Sequence, residues 1–371
     1  MLTLSANMVI WALKYGGRNK NFTFFALYSA LEGRYEMEKE AHYRVVSLFS
    51  GCGGMDLGFK GGFSFLDREF CENKFNIIWA NDIMKEAVET YRYNFGNHVI
   101  LCDISKILAE QPNLIPECEV VLGGFPCQDF SIAGKRRGLN SDRGRLYEKM
   151  REVIRLRQPL VFVAENVKGL TNIANALEII VEDFAKVGIG YKIYRKVLNA
   201  ADYGVPQTRE RLFIVGFRRD IDAEYEFPNP THSPGGLDGL EPWVTAREAI
   251  DDLWGLEKTS LAPPNHDQIS MAKNYGSHCQ GNKPIRPDLP GPTIRAEHHG
   301  NIEFHYRGTR RLSVRECCRI QSFPDNFIIK GSTTMAYKQV GNAVPPVLAW
   351  HIAKSVQVAL DDVNKCLAMS K

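Results

Sequence analysis

Five short apolar segments constrain the fold of this chain more than any other feature of its sequence. Each stops at glycine or a polar residue; the segments are 45–49, 76–80, 98–102, 119–122 and 160–164. Helical periodicity is found at about 83–95, 145–157 and 174–187, and two further strands are expected at about 190–198 and 211–217. This alternation predicts a mostly parallel α/β sheet with helices on both faces.

Polar side chains stand where these strands are expected to end. Asp82, Asp103 and Glu165 each follow an apolar segment, and Cys127 follows another after the turn 123–126. Ligands of parallel α/β sheets bind beyond the carboxyl ends of the strands. These four residues are therefore candidates for one shared site.

The composition is that of a globular protein and narrows the function classes. Hydrophobic residues make up 44% and charged residues 24% of 371 positions, which excludes a disordered chain and gives a prior of two domains. No apolar stretch is long enough to predict a membrane span. The net charge of +3 means that nucleic-acid binding would need a local basic surface. Nine cysteines without a CxxC pair predict free thiols in a reducing compartment and no metal site.

The chain divides into three parts by pattern. Residues 1–43 are expected to form an N-terminal extension, with translation from Met37 as an alternative start. Residues 44–221 and 309–371 carry regular elements, including a capping box at Ser313 and Glu316 and a last helix over about 347–360. Residues 222–308 are rich in Pro, Gly and Asn, and are expected to form a smaller domain with one basic face.

The turn after the first segment suits a ligand that approaches the backbone at a helix N-terminus. It departs from the strict dinucleotide fingerprint because Asp56 stands where glycine is required. Asp82 could bind ribose hydroxyls and Asp103 an adenine amino group, so an adenosine cofactor is favoured. The alternative is a turn that only allows tight packing.

Cys127 and Glu165 carry candidate catalytic chemistry. Cys127 lies near Lys135, Arg136 and Arg137, whose charge would favour a nucleophilic thiolate, although a small buried cysteine is the ordinary interpretation. Glu165 follows an apolar strand, which should raise its pKa and suit proton donation; a capping or ion-pair role is the alternative.

Arg209 and Arg211 should share one strand face by alternation, where they could hold a phosphate or a pyrimidine oxygen. A surface pair flanking Glu210 is the alternative.

The order of six motifs resembles that of the DNA (cytosine-5)-methyltransferase family of bacterial restriction-modification systems. The matching runs are VSLFSGCGG (46–54), GGFPCQDFS (123–131), AENV (164–167), DYGVPQTRER (202–211), LSVRECCRIQSFP (312–324) and QVGNAVPP (339–346). The resemblance implies a Rossmann-like S-adenosylmethionine-dependent methyltransferase fold. It also implies that residues 222–308 are a small, irregular target-recognition domain.

The resemblance implies roles for the candidate residues. Cys127 would attack C6 of a flipped-out cytosine, Glu165 would stabilise the adduct, and Arg211, with Arg209, would hold the O2 edge and a nearby phosphate. S-adenosylmethionine would bind at Phe49, Gly51, Gly53, Asp82, Asp103, Pro126, Asn342 and Val344. Contacts to double-stranded DNA would come from Gln128, Ser131, Arg143, Arg286, Arg295, His298 and Arg307, with Tyr275, His278, Asn301 and His305 as further candidates.

The expected biology is a cytoplasmic, DNA-associated monomer that protects DNA from a cognate endonuclease without forming a stable complex with it. Three alternatives remain at this point. They are methylation of tRNA cytosine, a non-catalytic DNA-binding module that kept the fold, and a nicotinamide dehydrogenase, for which only the glycine turn speaks.

Overall fold

The computed structural model describes residues 42–126, 146–173, 175–272, 281, 283–296, 302–308 and 310–369. At the centre of this part lie seven paired strands: β1 (Tyr43–Leu48), β4 (Phe75–Asp82), β5 (Val99–Leu101), β6 (Val120–Gly123), β7 (Val161–Val167), β8 (Tyr191–Asn199) and β10 (Glu210–Arg218). Their order in the sheet is β5-β4-β1-β6-β7-β10-β8. The first five pair in parallel, and β10 runs antiparallel to β7 and β8, so the predicted mostly parallel sheet is confirmed.

Helices follow most of the strands, close to the predicted positions. They are α1 (Gly54–Lys60), α2 (Lys85–Phe95), α3 (Ile104–Glu110), α4 (Leu146–Arg157), α5 (Ala176–Lys186), α6 (Ala246–Ile250), α7 (Val314–Ile320), α8 (Thr333–Asn342) and α9 (Pro346–Met369). None of these helices has the length and apolar character needed to cross a membrane.

Both faces of the sheet are buried. Val45 and Val161 belong to one hydrophobic cluster, whereas their neighbours Val46 and Phe162 belong to a second cluster on the other face. Adjacent side chains of a strand point to opposite faces, so a strand covered on both sides needs a continuous apolar run. This explains why the segments that predicted the strands do not alternate with polar residues.

The sequence patterns missed one hairpin, formed by β2 (Phe63–Phe65) and β3 (Arg68–Phe70). Three residues per strand are too few to show a period. Phe70 packs edge-on against Trp350 of α9, with ring centroids 5.3 Å apart. The hairpin therefore packs against the last helix, α9.

The C-terminal elements return to the glycine turn. A Cβ on Gly58 of α1 would lie 2.4 Å from the Cβ of Ala349 in α9, so glycine is needed where these helices cross. The predicted capping box is confirmed: Ser313 Oγ accepts from the Glu316 amide, and Glu316 accepts from the Ser313 amide.

Residues 222–308 contain the short strands β11 (His232–Ser233), β12 (Glu241–Pro242) and β13 (Gly291–Pro292). β13 pairs in parallel with β9 (Gln207–Thr208), which directly precedes β10. Apolar residues of the segment, including Ile250 and Ile294, are buried in the same cluster as Val314 of α7. These described residues of the segment therefore pack on the same core as α7.

Candidate active site

The turn after β1 brings backbone close to its neighbours on one side and leaves space on the other. Phe49, Gly51 and Gly53 have φ of 53°, 55° and 93°, the left-handed region that favours glycine and strains phenylalanine. A Cβ on Gly54 would lie 2.3 Å from the carbonyl oxygen of Val344. A Cβ on Gly51 would meet no described atom within 4 Å. The C-terminal return, the segment 342–345 from the end of α8 to the start of α9, thus closes one side of the turn. Asn342 in this segment is exposed.

Two predicted carboxylates stand at the ends of β4 and β5. Asp82 accepts from the amides of Gly51 and Met84, each at 2.8 Å, and Asp103 caps α3 by accepting from the Ser105 amide at 2.8 Å. A carboxylate has about four acceptor positions. Backbone amides use part of this capacity on Asp82, so its carboxylate can still accept from a hydroxyl group.

The buried carboxyl of Asp56 stabilises the turn after β1. The sequence marks Asp56 only as a residue that occupies a position where the dinucleotide fingerprint requires glycine. Asp56 of α1 is 1% exposed and accepts from Ser47 Oγ of β1 and Tyr91 Oη of α2, both at 2.7 Å. Burial raises the pKa of Asp56 to about 6, and the two hydroxyls act in the opposite direction. Asp56 thereby ties together the strand and helices that carry the turn.

Glu165 and Arg211 form the second half of the site. In the antiparallel pair of β7 and β10, Arg211 lies opposite Val167 and Phe213 opposite Glu165, so Arg211 and Glu165 are diagonal neighbours on one face. Arg211 Nε lies 3.0 Å from Glu165 Oε1. A Cβ on Gly124 would lie 3.2 Å from Glu165 Oε2, which places the turn after β6 beside the pair.

Burial sets the protonation behaviour of this pair. It raises the pKa of the Glu165 carboxyl, which is 8% exposed, while the charges of Arg211 and Arg209 oppose that shift. Burial also lowers the pKa of the Arg211 guanidinium, against the opposing charge of Glu165. The raised pKa expected from the apolar strand is confirmed. A carboxyl whose pKa is raised in this way is a candidate proton or hydrogen-bond donor.

The sequence patterns missed the roles of two asparagines, one next to Asp82 and one next to Glu165. Asn166 Nδ2 donates to the Phe125 carbonyl at 2.9 Å and so fixes the turn that leads to Pro126. Asn81 Nδ2 donates to the carbonyls of Ile100 and Cys102, joining the ends of β4 and β5. Each asparagine directly adjoins a predicted site residue at a strand end. That position in the sequence could have identified both asparagines as part of the site.

Arg209 does not lie in the ion pair. It is 1% exposed, and its two amino groups donate to the carbonyls of Ile294, Gly341 and Ala343. Burial and the nearby charge of Arg211 lower its pKa. The prediction that the two arginines share a strand face was wrong, because Arg209 lies between β9 and β10, where the chain turns into its buried contacts.

The predicted DNA contacts of residues 222–308 differ in their surroundings. Arg286 pairs with Asp288 at 3.3 Å, and Arg307 pairs with Asp251. Arg295 is exposed, and the described part of the chain shows no ion pair to it. All three side chains are accessible to a polyanion.

His305 is misplaced for the base contact considered for it. Its side chain is fully buried between the rings of Trp254 and Tyr306, with centroids 4.5 and 4.3 Å away. Burial lowers its pKa to about 4. Histidine can form hydrogen bonds to DNA bases, but the packing of His305 between two rings keeps it from the surface.

The remaining predicted site residues lie outside the described part of the chain. They are Cys127, Gln128, Ser131, Arg143 and His298, with Tyr275, His278 and Asn301 of the wider candidate set.

Comparison with known proteins agrees with the motifs. The family model "C-5 cytosine-specific DNA methylase" matches residues 43–358. The type II methyltransferase M.NgoFVII of Neisseria gonorrhoeae is 38% identical over 86% of this chain and 87% of its own length. The type II methyltransferase M.BspRI of Lysinibacillus sphaericus is also 38% identical, over 89% of this chain and 84% of its own.

A solved structure shows the same fold at low identity. A protein described as a DNA modification methyltransferase encoded within an E. coli prophage superposes with a TM-score of 0.62 at 22% identity, covering 86% of this chain and 99% of that one. The family model and the close relatives cover nearly all of the described sheet, including both halves of the site. The chain therefore belongs to the C-5 cytosine-specific DNA methylase family and is an enzyme of the DNA (cytosine-5-)-methyltransferase class.

Proposed function

We propose that the enzyme transfers a methyl group from S-adenosylmethionine to C5 of a cytosine flipped out of a specific double-stranded DNA sequence. The Glu165–Arg211 pair carries the proposal. It lies at the carboxyl edge of the sheet, beside the turn that leads into Cys127. A base inside a duplex cannot reach such an edge, so it must leave the stack at a cost of about a few kcal/mol.

The residues of the sheet edge divide the chemistry between them. The Cys127 thiolate forms a bond to C6, and the electron pair of the C5–C6 double bond shifts to C5 and, through C4, to N3, which makes C5 nucleophilic. Glu165 donates to N3 and accepts from the 4-amino group, which stabilises that charge, and Arg211 holds the O2 edge. S-adenosylmethionine, when bound, supplies an electrophilic methyl group. Water then takes the C5 proton, and the C6–S bond breaks to release Cys127.

The cofactor would lie at the glycine turn. Gly51 leaves room for backbone approach, with Gly53, Phe49 and Pro126 lining the same turn, and Asp82 retains acceptor capacity for ribose hydroxyls. Asp103 would accept from the adenine amino group. Asn342 and Val344 would close the pocket from the C-terminal return, which Gly54 contacts closely.

Residues 222–308 would read the DNA sequence, and Gln128, Ser131 and Arg143 would contact it near the target base. The biological role proposed is protection of DNA in the cytoplasm against a cognate restriction endonuclease. The enzyme would act as a monomer and without a stable complex with that partner.

Bisulfite sequencing of plasmid DNA from cells that express the protein tests the proposal. We expect protected cytosines at one position of one recurring sequence. A duplex with 5-fluorocytosine at that position should become covalently attached to the wild type and not to Cys127→Ala. Plasmid DNA without protected cytosines, or equal attachment to both proteins, would contradict the proposal. Transfer of labelled methyl groups to tRNA instead would redirect it to RNA.

A further inference from the structure

Arg209 connects two segments to which the proposed function gives different ligands. Its Nη1 donates to the carbonyl of Ile294 at 3.0 Å, directly before the exposed Arg295. Its Nη2 donates to the carbonyls of Gly341 at 2.8 Å and Ala343 at 3.1 Å. One buried guanidinium thus fixes the backbone on the DNA side and on the cofactor side.

The cofactor side of this junction includes Asn342, because Gly341 and Ala343 are its two neighbours in the chain. Asn342 is exposed, so the carbonyls on both sides of it are fixed while its side chain remains available. Arg295 is in the same situation on the other side. The junction therefore holds backbone and leaves the ligand-facing side chains free.

Two buried glutamines strengthen the same junction. Gln207 Oε1 accepts from the Ile294 amide at 3.0 Å, and Gln207 Nε2 donates to Gln321. Gln321 Nε2 in turn donates to the carbonyl of Ala343. Both side chains are at most 1% exposed, so water cannot replace these contacts. A displacement at Ile294 would be felt at Ala343 through either route.

The two segments also touch directly. A Cβ on Gly341 would lie 2.6 Å from the amide nitrogen of Ala296 and 2.6 Å from the carbonyl carbon of Arg295. Contacts this short cannot accommodate a methyl group without separating the segments. The two backbones are therefore in close contact, and the Arg209 guanidinium bridges them.

We propose that Arg209 is a positioning residue that couples cofactor binding to DNA binding, rather than a residue that contacts the target base. The inference rests on the proposed function, which assigns Arg295 to DNA and Asn342 to the cofactor. The planar fork of arginine can serve two separate sets of acceptors at fixed angles, which a lysine ammonium cannot. Because coupling between two ligands is reciprocal, each ligand should raise the affinity for the other.

The test measures that coupling with S-adenosylhomocysteine and a duplex that carries the sequence found by bisulfite sequencing. The dissociation constant of S-adenosylhomocysteine is determined by calorimetry with and without saturating duplex. We expect the duplex to tighten binding by about fivefold or more in the wild type, the lower end of typical coupling. In Arg209→Lys the factor should fall below about twofold, while each separate affinity changes by less than about threefold.

Two further variants keep the test decisive. Arg219→Gln removes an exposed arginine at the opposite end of β10 and should retain the wild-type coupling. If Arg209→Lys does not fold, Gly341→Ala disturbs the same junction without removing a charge and should lower the coupling in the same way.

Three results would overturn the inference: no coupling in the wild type, wild-type coupling in a folded Arg209→Lys or Gly341→Ala, or a loss of duplex affinity alone. The last would make Arg209 a direct DNA contact. A failure of the proposed function is distinguishable, because it would show as unmethylated DNA and no binding of S-adenosylhomocysteine by the wild type.

Discussion

The carboxyl edge of the sheet and the segment 222–308 hold charge in opposite ways. At the edge, Asp56 and Glu165 are buried, and burial raises the pKa of both. In the segment, Arg286 and Arg295 are exposed to solvent. Burial shifts the pKa of a charged group and strengthens its close contacts, whereas interactions of exposed charges are screened by dissolved salt. Substitutions at the edge should therefore alter chemistry and pH dependence, and those in the segment should alter DNA affinity and its salt dependence.

The largest effect is expected at Glu165. Glu165→Gln keeps the shape of the side chain and can still donate a hydrogen bond, but it cannot give up a proton. We expect kcat to fall by about 10²- to 10⁴-fold, the usual contribution of a positioned acid, with the Kd for DNA changed by less than about threefold. Single-turnover methyl transfer to the target duplex measures the first, and fluorescence anisotropy the second.

Glu210→Gln is the matched control for that experiment. Glu210 is about half exposed and pairs with Lys168 on the surface, 2.8 Å away. Its loss should leave kcat within twofold, since surface pairs contribute about 0–1 kcal/mol. A small effect of Glu165→Gln, comparable with that of Glu210→Gln, would show that the buried carboxyl does not serve the reaction.

The strand-end residues of the edge could be predicted because parallel strands bring their carboxyl ends to one side. Asp82, Asp103 and Glu165 needed only the strand positions, and the strands needed only continuous apolar runs. The separate environments of Arg209 and Arg211 could not be predicted. Arg209 lies between β9 and β10 rather than on a strand face, and its acceptors come from Ile294 and Gly341, far along the chain.

The segment 222–308 resisted prediction for a different reason. Its strands are two residues long, so no periodicity marks them. The burial of His305 depends on Trp254, about fifty positions earlier, and no local pattern shows that contact. Composition also could not separate Arg286 and Arg307, which are paired with carboxylates, from Arg295, which has no ion pair in the described part of the chain.

The second prediction concerns pH and Asp56. Its pKa is about 6 in the folded protein and about 4 in an unfolded chain, so the folded state binds more protons between these values. The contribution of Asp56 to stability should therefore fall as pH rises through this window, by about 2–3 kcal/mol. Asp56→Asn cannot titrate and should lose this dependence. Urea unfolding from pH 4 to pH 7 measures the difference.

Asp362→Asn serves as the control for Asp56. Asp362 is 62% exposed and pairs with Lys365 one turn away, so its free energy of unfolding should run parallel to that of the wild type across the window. If the free energy of unfolding of Asp56→Asn also ran parallel to that of the wild type, ionisation of Asp56 would not destabilise the folded protein. Of the two buried carboxyls on which the comparison with the exposed segment rests, only Glu165 would then remain.

A smaller effect is expected at Arg295. Arg295→Ala should weaken binding of the target duplex by about five- to tenfold and reduce the slope of log K against log salt by about 0.9, the loss of one phosphate contact. Affinity for S-adenosylhomocysteine without DNA should stay within twofold. Equal losses of both affinities would place Arg295 in the structure of the junction rather than on the DNA.

The smallest effect separates paired from unpaired arginines within the segment. Arg286 and Asp288 are 69% and 65% exposed and lie 3.3 Å apart, so the carboxylate partly offsets the charge that DNA would meet. Arg286→Ala should weaken DNA binding less than twofold, and Asp288→Asn should tighten it by about twofold, because it frees the guanidinium and removes a negative charge. Anisotropy titrations of both variants and of the double variant measure the coupling. If Arg286→Ala weakened binding as much as Arg295→Ala, the ion pair would have to open on DNA, and exposure rather than pairing would determine which arginines of the segment bind.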